Sequence, residues 1–358
     1  MPQTAQVVHD VHVPRVGMAG RARAAVVRIA IVAPSDSPAL RALPTEAGAK
    51  FIVGNSLVDF EPTALAEVDA LLYVPPGDRT ILSAVFDAAP KCAWVHCFFA
   101  GVDSLSDFTA ERLVDGRGVA VPLTNGRGAF SASLAEFSLA AMLHYNKQLR
   151  RCAANLEAKR WDKFEMDVLA GKTVAYLGWG HIARTSARLA KAFGMRTIAL
   201  RRDASRTDPL CDEMRSSQSA QAKRATFAEA DFVVSALPGT PETIDFVGAA
   251  ELDAMKPSSV FISLGRGLVV DEMALGDALR AGSIAGAALD VFKVEPLPST
   301  SPLWGISPER LLLTAHNADY TADYFELGWS VFQQNLDAFR AGAAIDGMAT
   351  PVDKHKGY

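Results

Sequence analysis

The sequence predicts an α/β protein with two doubly wound parallel sheets. Short apolar strands alternate with helical patterns in both halves of the chain, which is typical of parallel sheets covered by helices on both faces. At 358 residues the chain has the length of two domains. A glycine-rich turn at 178–183 follows the first strand of the second series and precedes a helical pattern.

The first series of strands starts at 27–32, a β-type run closed by a Pro-Ser-Asp turn. Further strands are predicted at 51–53, 70–74 and 93–96. A single long helix is then predicted over 133–159, and its length suits a bridge between two domains. Residues 1–25 precede the first strand and are expected to form a flexible tail.

The second series has six predicted strands, which would complete a doubly wound sheet. They are 174–177, 196–200, 231–237, 259–264, 286–291 and 311–314. Aromatic and leucine side chains at helical spacing predict a last helix over 320–341. Because the N-terminal domain would otherwise end near residue 130, we expect this helix to fold back onto it.

The composition is that of an ordinary globular protein, with 49% hydrophobic and 21% charged residues. A formal net charge of −4 leaves no cationic excess for nucleic acid, and no apolar stretch is long enough to span a membrane. The four cysteines show no metal-ligand spacing and are expected as free thiols; they are Cys92, Cys97, Cys152 and Cys211. We therefore expect a cytoplasmic protein without a metal site, although residues 1–25 leave organellar targeting open.

The turn at Gly178-Trp179-Gly180-His181-Ile182-Ala183 has the spacing that sets the pyrophosphate of a dinucleotide against a helix N-terminus. The first glycine permits the tight turn, the second lets backbone N–H groups approach the phosphates, and the small third residue lets helix pack on strand. The flanking strand and helix favour a redox dinucleotide at 178–182 over an accidental tight turn.

The end of the next strand bears on which dinucleotide is bound. An NAD enzyme needs an acidic residue about 20 residues past the glycine turn for the ribose 2′-OH, whereas this strand ends in Leu200-Arg201-Arg202. Two cations suit a 2′-phosphate, so NADP(H) is favoured. NAD(H) stays open, because Asp203 could serve as the acid if the strand ends two residues later, and the arginines could simply be solvated.

Three polar residues follow strands of the second series, where ligands of such sheets bind. They are Arg266, Glu295 and His316. Taken singly, each has a structural explanation as a solvated arginine, a loop carboxylate before Pro296 or a helix-capping histidine. Their common position makes them candidates for a shared site.

Five motifs in this order resemble the D-isomer-specific 2-hydroxyacid dehydrogenases, over about residues 90–340. The motifs are Gly178-x-Gly180-x-x-Ala183, Leu237-Pro238-x-Thr240-Pro241-Glu242-Thr243, Met255-Lys256 to Gly265-Arg266-Gly267, Asp290-Val291-Phe292-x-x-Glu295-Pro296-Leu297 and Ala315-His316-Asn317-Ala318. The resemblance implies two Rossmann-like domains with the active site in the cleft between them. It implies a substrate domain of residues 26–145 plus 322–358, a dinucleotide domain of residues 146–321, and a homodimer.

The resemblance also implies residue roles. Arg266 would hold the substrate carboxylate and carbonyl, His316 would donate the proton, and Glu295 would favour the charged imidazole and fix its tautomer. The loop Ala100-Gly101-Val102-Asp103 resembles the family's substrate loop, in which the backbone N–H groups of Gly101 and Val102 would cradle the carboxylate; an ordinary glycine turn is the structural alternative. Further cofactor contacts would come from Leu237, Pro238, Thr243, Leu264, Gly265 and Asp290. The family usually has proline before the catalytic histidine, and Ala315 in its place is expected to loosen the loop.

The implied function is NADPH-dependent reduction of a small 2-oxoacid. Glyoxylate and hydroxypyruvate are the implied substrates, while Phe98, Phe99 and Trp304 hint at a bulkier or more apolar side chain. One alternative is a dinucleotide-sensing interaction protein, since the family includes transcriptional corepressors on the same fold. Another is oxidation of 3-phosphoglycerate, which would require additional cations for the phosphate and often an appended regulatory domain.

Overall fold

The computed structural model describes residues 26–44 and 48–358, and its architecture rests on two parallel sheets. The expectations for residues 1–25 therefore lie outside the described part of the chain. The first sheet has five strands in the order β2-β1-β3-β4-β5. They are β1 (Val27–Val32), β2 (Ala49–Gly54), β3 (Ala70–Tyr73), β4 (Val95–Cys97) and β5 (Leu123–Asn125). The predicted α/β fold is confirmed.

The second sheet has seven parallel strands in the order β12-β11-β10-β9-β6-β7-β8. They are β6 (Thr173–Leu177), β7 (Arg196–Arg201), β8 (Glu213–Ser216), β9 (Phe232–Ser235), β10 (Val260–Ser263), β11 (Gly286–Leu289) and β12 (Leu311–Leu313). The prediction of six strands was wrong because β8 has no apolar run. Its Arg215 pairs with Glu213 and Glu229 at the sheet edge, so charged side chains stabilise this strand.

Helices cover both sheets. They are α1 (Pro38–Arg41), α2 (Pro62–Leu65), α3 (Arg79–Ala88), α4 (Ser106–Phe108, continued by a π-helical turn over Thr109–Val114), α5 (Ser131–Asn146), α6 (Leu149–Glu157), α7 (His181–Ala192), α8 (Ala220–Glu229), α9 (Ala249–Ala254), α10 (Glu272–Ala281) and α11 (Tyr324–Arg340). In the described chain, no helix combines the length and apolar character needed to cross a bilayer. All four cysteines are free thiols, as predicted.

The single helix predicted over 133–159 was also wrong, because the chain breaks into α5 and α6. Gln148 has a φ of 48°, in the left-handed region that ends a helix. Side chains of the break then bind the segment after α6, with Lys147 Nζ donating to the Asp167 carbonyl and Gln148 Nε2 donating to the Glu165 carbonyl at 2.8 Å. No glycine or proline marks this break in the sequence. The helical spacing of apolar residues therefore predicts one continuous helix.

Two helices mark where the chain passes between the two sheets. The last helix, α11, packs on the first sheet, where Phe332 stacks on Trp94 with ring centroids 5.3 Å apart. The helix α5 packs instead on α7 of the second sheet, with Ser138 Oγ 2.6 Å from Ser186 Oγ. The chain thus crosses between the sheets near α5 and returns at α11. The domain boundaries given above stay predictions.

Candidate active site

The glycine turn joins β6 to α7 in the second sheet. Gly178 has a φ of 88°, which glycine adopts without strain, and its N–H donates to the Leu200 carbonyl at 2.8 Å. Gly180 is the N-cap residue of α7, and a Cβ at this position would meet open space. Ala183 is fully buried, which allows the helix to approach the sheet closely. The open space at Gly180 leaves the start of α7 accessible to a ligand.

The side chains of the turn are held from two directions. The Trp179 indole donates to Asp208 Oδ2 at 3.0 Å, and Asp208 also pairs with Arg184. His181 lies against Gly128, which belongs to the loop after β5 of the first sheet. Burial lowers the pKa of His181, and the charges of Arg127, Arg184 and Arg188 lower it further. The start of α7 is therefore an electropositive region that faces the first sheet.

The arginines predicted for the 2′ position lie at the end of β7. This strand ends at Arg201, two residues before Asp203. The Asp203 carboxylate accepts hydrogen bonds from the N–H and Oγ of Ser205, at 2.9 and 2.6 Å. Neither the Arg201 nor the Arg202 guanidinium forms an ion pair with any residue in 26–44 or 48–358, and Arg202 is exposed. Arg201 and Arg202 are thus available to bind an anion, whereas the Asp203 carboxylate already accepts two hydrogen bonds from Ser205.

The loops after β9 and β10 approach the same turn. Leu237 packs next to Gly178, and Gly265 lies tightly against the Leu237 backbone. The Thr243 hydroxyl donates to the Pro238 carbonyl at 2.7 Å and accepts from the Thr240 N–H at 2.9 Å. Thr243 therefore shapes its own loop. Leu264 is buried, and its N–H donates to the Ser235 carbonyl at 2.9 Å.

Asp290, just after β11, organises the loop that carries His316. Its Oδ1 accepts hydrogen bonds from Thr314 Oγ1 at 2.7 Å, from the Asn317 N–H at 3.0 Å and from the Ala318 N–H at 3.1 Å. Its Oδ2 is buried and has no hydrogen-bond partner among the described residues. A buried carboxylate oxygen without a donor is costly, so this atom is suited to a donor from a bound ligand.

His316 and Glu295 form a direct pair. The imidazole Nδ1 lies 2.6 Å from Glu295 Oε2, and the other carboxylate oxygen accepts from the Phe292 N–H at 2.9 Å. His316 has a φ of 51°, a strained conformation for a side chain with a Cβ. The hydrogen bond from its N–H to the Asp290 carbonyl, at 2.9 Å, holds that conformation. Because a carboxylate only accepts, Nδ1 carries the proton of this hydrogen bond.

The position before His316 shows what replaces the usual proline. The Ala315 N–H donates to Asn317 Oδ1 at 3.2 Å, a hydrogen bond that proline cannot make. This hydrogen bond and the two that Asp290 accepts from the loop backbone restrain the loop where a proline ring would otherwise do so.

Arg266 is held between the two sheets. Its Nε donates to Asp103 Oδ1 at 3.0 Å, and its Nη1 donates to the Gly265 carbonyl at 3.0 Å. The guanidinium lies directly against Gly101, where a Cβ would overlap Nη2. Asp103 and Gly101 both follow β4 of the first sheet, so Arg266 of the second sheet meets the predicted substrate loop.

The loops that carry Arg266 and Glu295 are in contact. Gly267, next to Arg266, packs against the Phe292 backbone, whose N–H donates to Glu295 Oε1 at 2.9 Å. A cavity of about 640 Å³ adjoins the His316–Glu295 pair and is otherwise mostly apolar. Trp304 lines that cavity, but Arg266 and the Ala100–Val102 loop do not. The cavity therefore borders the His316–Glu295 pair but not Arg266.

Residues 139–318 match the family model for the NAD binding domain of D-isomer specific 2-hydroxyacid dehydrogenases. The chain belongs to this family. It is therefore an oxidoreductase with a dinucleotide-binding domain of the family type. The motifs that predicted this membership are those whose geometry is described above.

The relatives of this dehydrogenase carry the names of two enzyme activities. It is 32% identical over 265 residues to a glyoxylate reductase of Korarchaeum cryptofilum, covering 72% of this chain and 76% of that protein. It is 34% identical over 265 residues to D-3-phosphoglycerate dehydrogenase of Mycobacterium leprae, covering 73% of this chain but 47% of that protein. The dehydrogenase thus spans about half the length of the second relative.

A solved structure extends the comparison. The NADPH-dependent glyoxylate/hydroxypyruvate reductase of Sinorhizobium meliloti, in complex with NADP and malonate, matches with a TM-score of 0.68 and 25% identity. The match covers 92% of this chain and 98% of that one.

Sequence reasoning assigned no role to three polar residues of this region. Asp103 is the last residue of the predicted substrate loop, and its pairing with Arg266 joins positions 163 residues apart. Asn317 lies within the motif that contains His316, and Asp319 follows that motif. Their position in or beside a motif was the one signal that the sequence offered for all three.

Proposed function

We propose that this dehydrogenase reduces a small 2-oxoacid to the D-2-hydroxyacid with NADPH. The observation that carries the proposal is the approach of Arg266 to the Gly101 loop beside the His316–Glu295 pair. A guanidinium, a backbone loop and an imidazole held by a carboxylate supply the binding and proton transfer that this reduction needs. The glyoxylate reductase names of relatives agree with this substrate class.

The residues present fit a nicotinamide dinucleotide. Backbone N–H groups of Gly178 to Ile182 would hold the pyrophosphate at the start of α7. The orphaned Oδ2 of Asp290 would accept from the nicotinamide carboxamide, and Leu237, Pro238, Thr243, Leu264 and Gly265 would form the surrounding wall. Arg201 and Arg202 would bind a 2′-phosphate, which favours NADP(H) over NAD(H).

The chain's own side chains would then carry the rest of the reaction. When bound, the reduced cofactor supplies a hydride to the carbonyl carbon. Arg266 would hold the substrate carboxylate and carbonyl oxygen, offsetting the negative charge that develops on that oxygen. His316 would donate a proton to the oxygen, which becomes the product hydroxyl. Glu295 would accept from Nδ1–H and favour the imidazolium form, in which Nε2 also carries a proton and can transfer it.

Glyoxylate and hydroxypyruvate are the substrates we favour. Phe99 and the buried Phe98 stand beside the substrate loop, but Trp304 lines the neighbouring cavity and not the Arg266 side. Trp304 therefore gives no support to a bulkier substrate in the cleft. The match to the M. leprae phosphoglycerate dehydrogenase covers only 47% of that protein. We therefore do not favour its phosphorylated substrate, but include the corresponding 2-oxoacid in the assay below.

A panel assay tests the proposal. Loss of NADPH absorbance is measured with glyoxylate, hydroxypyruvate, pyruvate and 3-phosphohydroxypyruvate, and again with NADH. We expect the small unphosphorylated acids to be reduced with NADPH. Tight NADPH binding without turnover of any acid would instead favour a dinucleotide-sensing interaction protein, and preference for the phosphorylated acid would favour the phosphoglycerate reaction.

A homodimer is part of the proposal. The segment from α6 to β6 exposes apolar side chains, with Leu156 at 81% and Trp161 at 100% exposure. Such side chains on one segment are typical of a protein interface. Sedimentation analysis should give a dimer that dissociates when Leu156 and Trp161 are both changed to serine. Val58→Ser is the matched control, at a site 92% exposed in the helical turn that follows β2.

A further inference from the structure

Two carbonyl groups of the predicted substrate loop are bound from behind by buried side chains of the first sheet. Asn125, at the end of β5, donates from Nδ2 to the Ala100 carbonyl at 2.5 Å. Cys97, at the end of β4, donates from Sγ to the Gly101 carbonyl at 3.6 Å. Burial raises the pKa of the Cys97 thiol to about 12, so this group keeps the proton that it donates. Both carbonyls therefore point to the buried side of the loop.

These two hydrogen bonds also fix the direction of the next two N–H groups. A peptide group is planar and trans, so its N–H points opposite to its carbonyl. The Ala100 carbonyl shares a peptide group with the Gly101 N–H, and the Gly101 carbonyl shares one with the Val102 N–H. Both N–H groups thus point away from the side chains of Asn125 and Cys97. Among the described residues neither N–H has a hydrogen-bond acceptor, so both are available to a ligand.

The two N–H groups belong to the part of the loop that Arg266 contacts. The Arg266 guanidinium lies against the Cα of Gly101, and Asp103 of the same loop accepts from its Nε at 3.0 Å. A cation next to two backbone donors without acceptors is a suitable environment for a carboxylate. A carboxylate bound by Arg266 would therefore meet donors whose direction is determined behind the loop.

Asn125 is itself held by the end of the chain. Thr350 donates from Oγ1 to the Asn125 carbonyl at 2.5 Å, and the Thr350 carbonyl accepts from the Asn125 N–H at 3.3 Å. Asn335 of α11 donates from Nδ2 to Thr350 Oγ1 at 2.9 Å and accepts from the Thr350 N–H at 3.1 Å. Thr124 of β5 pairs antiparallel with Pro351. The C-terminal segment thus fixes the backbone from which the Asn125 side chain reaches the loop.

We propose that Asn125 and Cys97 position the Gly101 and Val102 N–H groups to bind the substrate carboxylate, and that Thr350 acts on the loop through Asn125. The inference rests on the proposed function for its ligand, a 2-oxoacid whose carboxylate is shared by Arg266 and the loop. In the described chain Thr350 forms no hydrogen bond to the loop, so it is a positioning residue. The C-terminal segment is then part of the substrate site, although no motif that predicted the site includes it.

The opposing interpretation is that these hydrogen bonds only stabilise the first sheet. The two interpretations differ in the quantity that a variant changes. A bond with a purely structural role affects the free energy of unfolding and leaves KM unchanged under conditions where the protein is folded. A bond that positions the donors raises KM for the 2-oxoacid, with little effect on kcat or on the affinity for NADPH.

The first test compares Thr350→Val, which keeps the shape of the side chain, with Thr350→Ser, which keeps the hydroxyl. In Thr350→Val we expect KM for glyoxylate to rise about fivefold or more, with kcat and the NADPH dissociation constant within about twofold. Thr350→Ser should restore KM. Thr226→Val is the control, because it removes a buried hydroxyl that donates to the Ala222 carbonyl of α8 at 2.7 Å. A Thr350→Val protein that loses stability in urea but keeps the wild-type KM would overturn the inference.

The second test uses two buried cysteines of the first sheet. Cys97→Ala removes the donor to the Gly101 carbonyl and should raise KM for glyoxylate about threefold or more, whereas Cys97→Ser keeps a donor and should stay near the wild type. Cys92→Ala is the matched control, since Cys92 Sγ donates to the Trp94 carbonyl at 3.4 Å, outside the loop. Equal KM values in Cys97→Ala and Cys92→Ala would overturn the role of Cys97.

A binding measurement separates this inference from the proposed function. Calorimetry with NADP present gives the dissociation constant of oxalate, a carboxylate ligand that is not reduced, and Thr350→Val should raise it about fivefold or more. If the wild type reduces no 2-oxoacid but binds oxalate more tightly than Thr350→Val does, the proposed reaction fails and the positioning of the donors is supported. If the wild type reduces glyoxylate and Thr350→Val changes neither constant, the inference alone fails. Absence of both reduction and oxalate binding would overturn both.

Discussion

Arg266 and Asp103 meet across the two sheets, with the guanidinium Nε 3.0 Å from the carboxylate Oδ1. Arg266 follows β10 of the second sheet, and Asp103 follows β4 of the first. The same guanidinium rests against Gly101, two residues before Asp103. Arg266 and the Gly101 loop are both proposed to bind the substrate carboxylate, and the loop also holds Arg266 in place. The site therefore depends on both sheets.

Gly101→Ala should weaken substrate binding without unfolding the protein. The new Cβ would overlap Nη2 of Arg266, and the end of that side chain can move aside where backbone could not. We expect KM for glyoxylate to rise about tenfold or more, since a displaced guanidinium loses its charged hydrogen bonds. The dissociation constant for NADPH should stay within about threefold. Gly305→Ala, where a Cβ meets open space, is the control, and an unchanged KM in Gly101→Ala would contradict the assigned contact.

His316→Ala should abolish reduction while leaving NADPH affinity within a few fold. The imidazole would act in proton transfer, which is worth about 10²–10⁴-fold in rate. Glu295→Gln should lower kcat by a smaller factor, because the amide keeps a hydrogen bond to Nδ1 but not the charge that supports the imidazolium. Steady-state kinetics and fluorescence titration with NADPH measure both effects. An equal loss of NADPH affinity in His316→Ala would count against its role in the chemical step.

The double change Arg201→Ala with Arg202→Ala should weaken NADPH selectively. Charged hydrogen bonds to a 2′-phosphate are worth on the order of 2 kcal/mol, so the NADPH dissociation constant should rise about thirtyfold relative to that of NADH. Arg224→Ala, an exposed arginine of α8, controls for the loss of positive charge. A selectivity that does not change would show that the arginines at the end of β7 are solvated.

The strands were predictable where their side chains are apolar, and the site was predictable where motifs mark it. β1 was predicted over 27–32 and begins and ends at those residues, because every residue except the exposed Arg28 is apolar and buried. β8 was missed because Arg215 is stabilised by Glu213 and Glu229 and not by burial of apolar surface. The break at Gln148 depends on carbonyls of the segment after α6, which no local pattern contains.

The same distinction applies within the site. The spacing of Asp290, Glu295 and His316 identified a group of residues, and the structure brings Glu295 and His316 into contact. The role of Asp103 could not be assigned from spacing, since Arg266 is reached only through the tertiary fold. Local motifs therefore predicted the chemistry, and long-range packing determines which polar neighbours tune it.

His96 should make the protein less stable as the pH falls from about 6.5 towards 3. The side chain is fully buried on β4, its Nδ1 lies 2.7 Å from Thr124 Oγ1, and its Nε2 has no hydrogen-bond partner in the described chain. Burial lowers the pKa of His96 to about 3 from an ordinary value of 6.5. Between those values the unfolded state binds the proton and the folded state does not, so each pH unit costs about 1.4 kcal/mol of unfolding free energy.

His96→Gln removes this titration and keeps an amide that can bind Thr124. From pH 7 to pH 5 the wild type should lose about 2 kcal/mol more unfolding free energy than the variant, as measured by urea denaturation. Carboxylates titrate alike in both proteins, so the difference isolates the imidazole. His355→Gln, at an exposed position near the C-terminus, is the control and should keep the wild-type pH dependence. If His96→Gln lost stability in parallel with the wild type, water or a proton would reach the imidazole in the folded state, and β4 would not be sealed as its burial indicates.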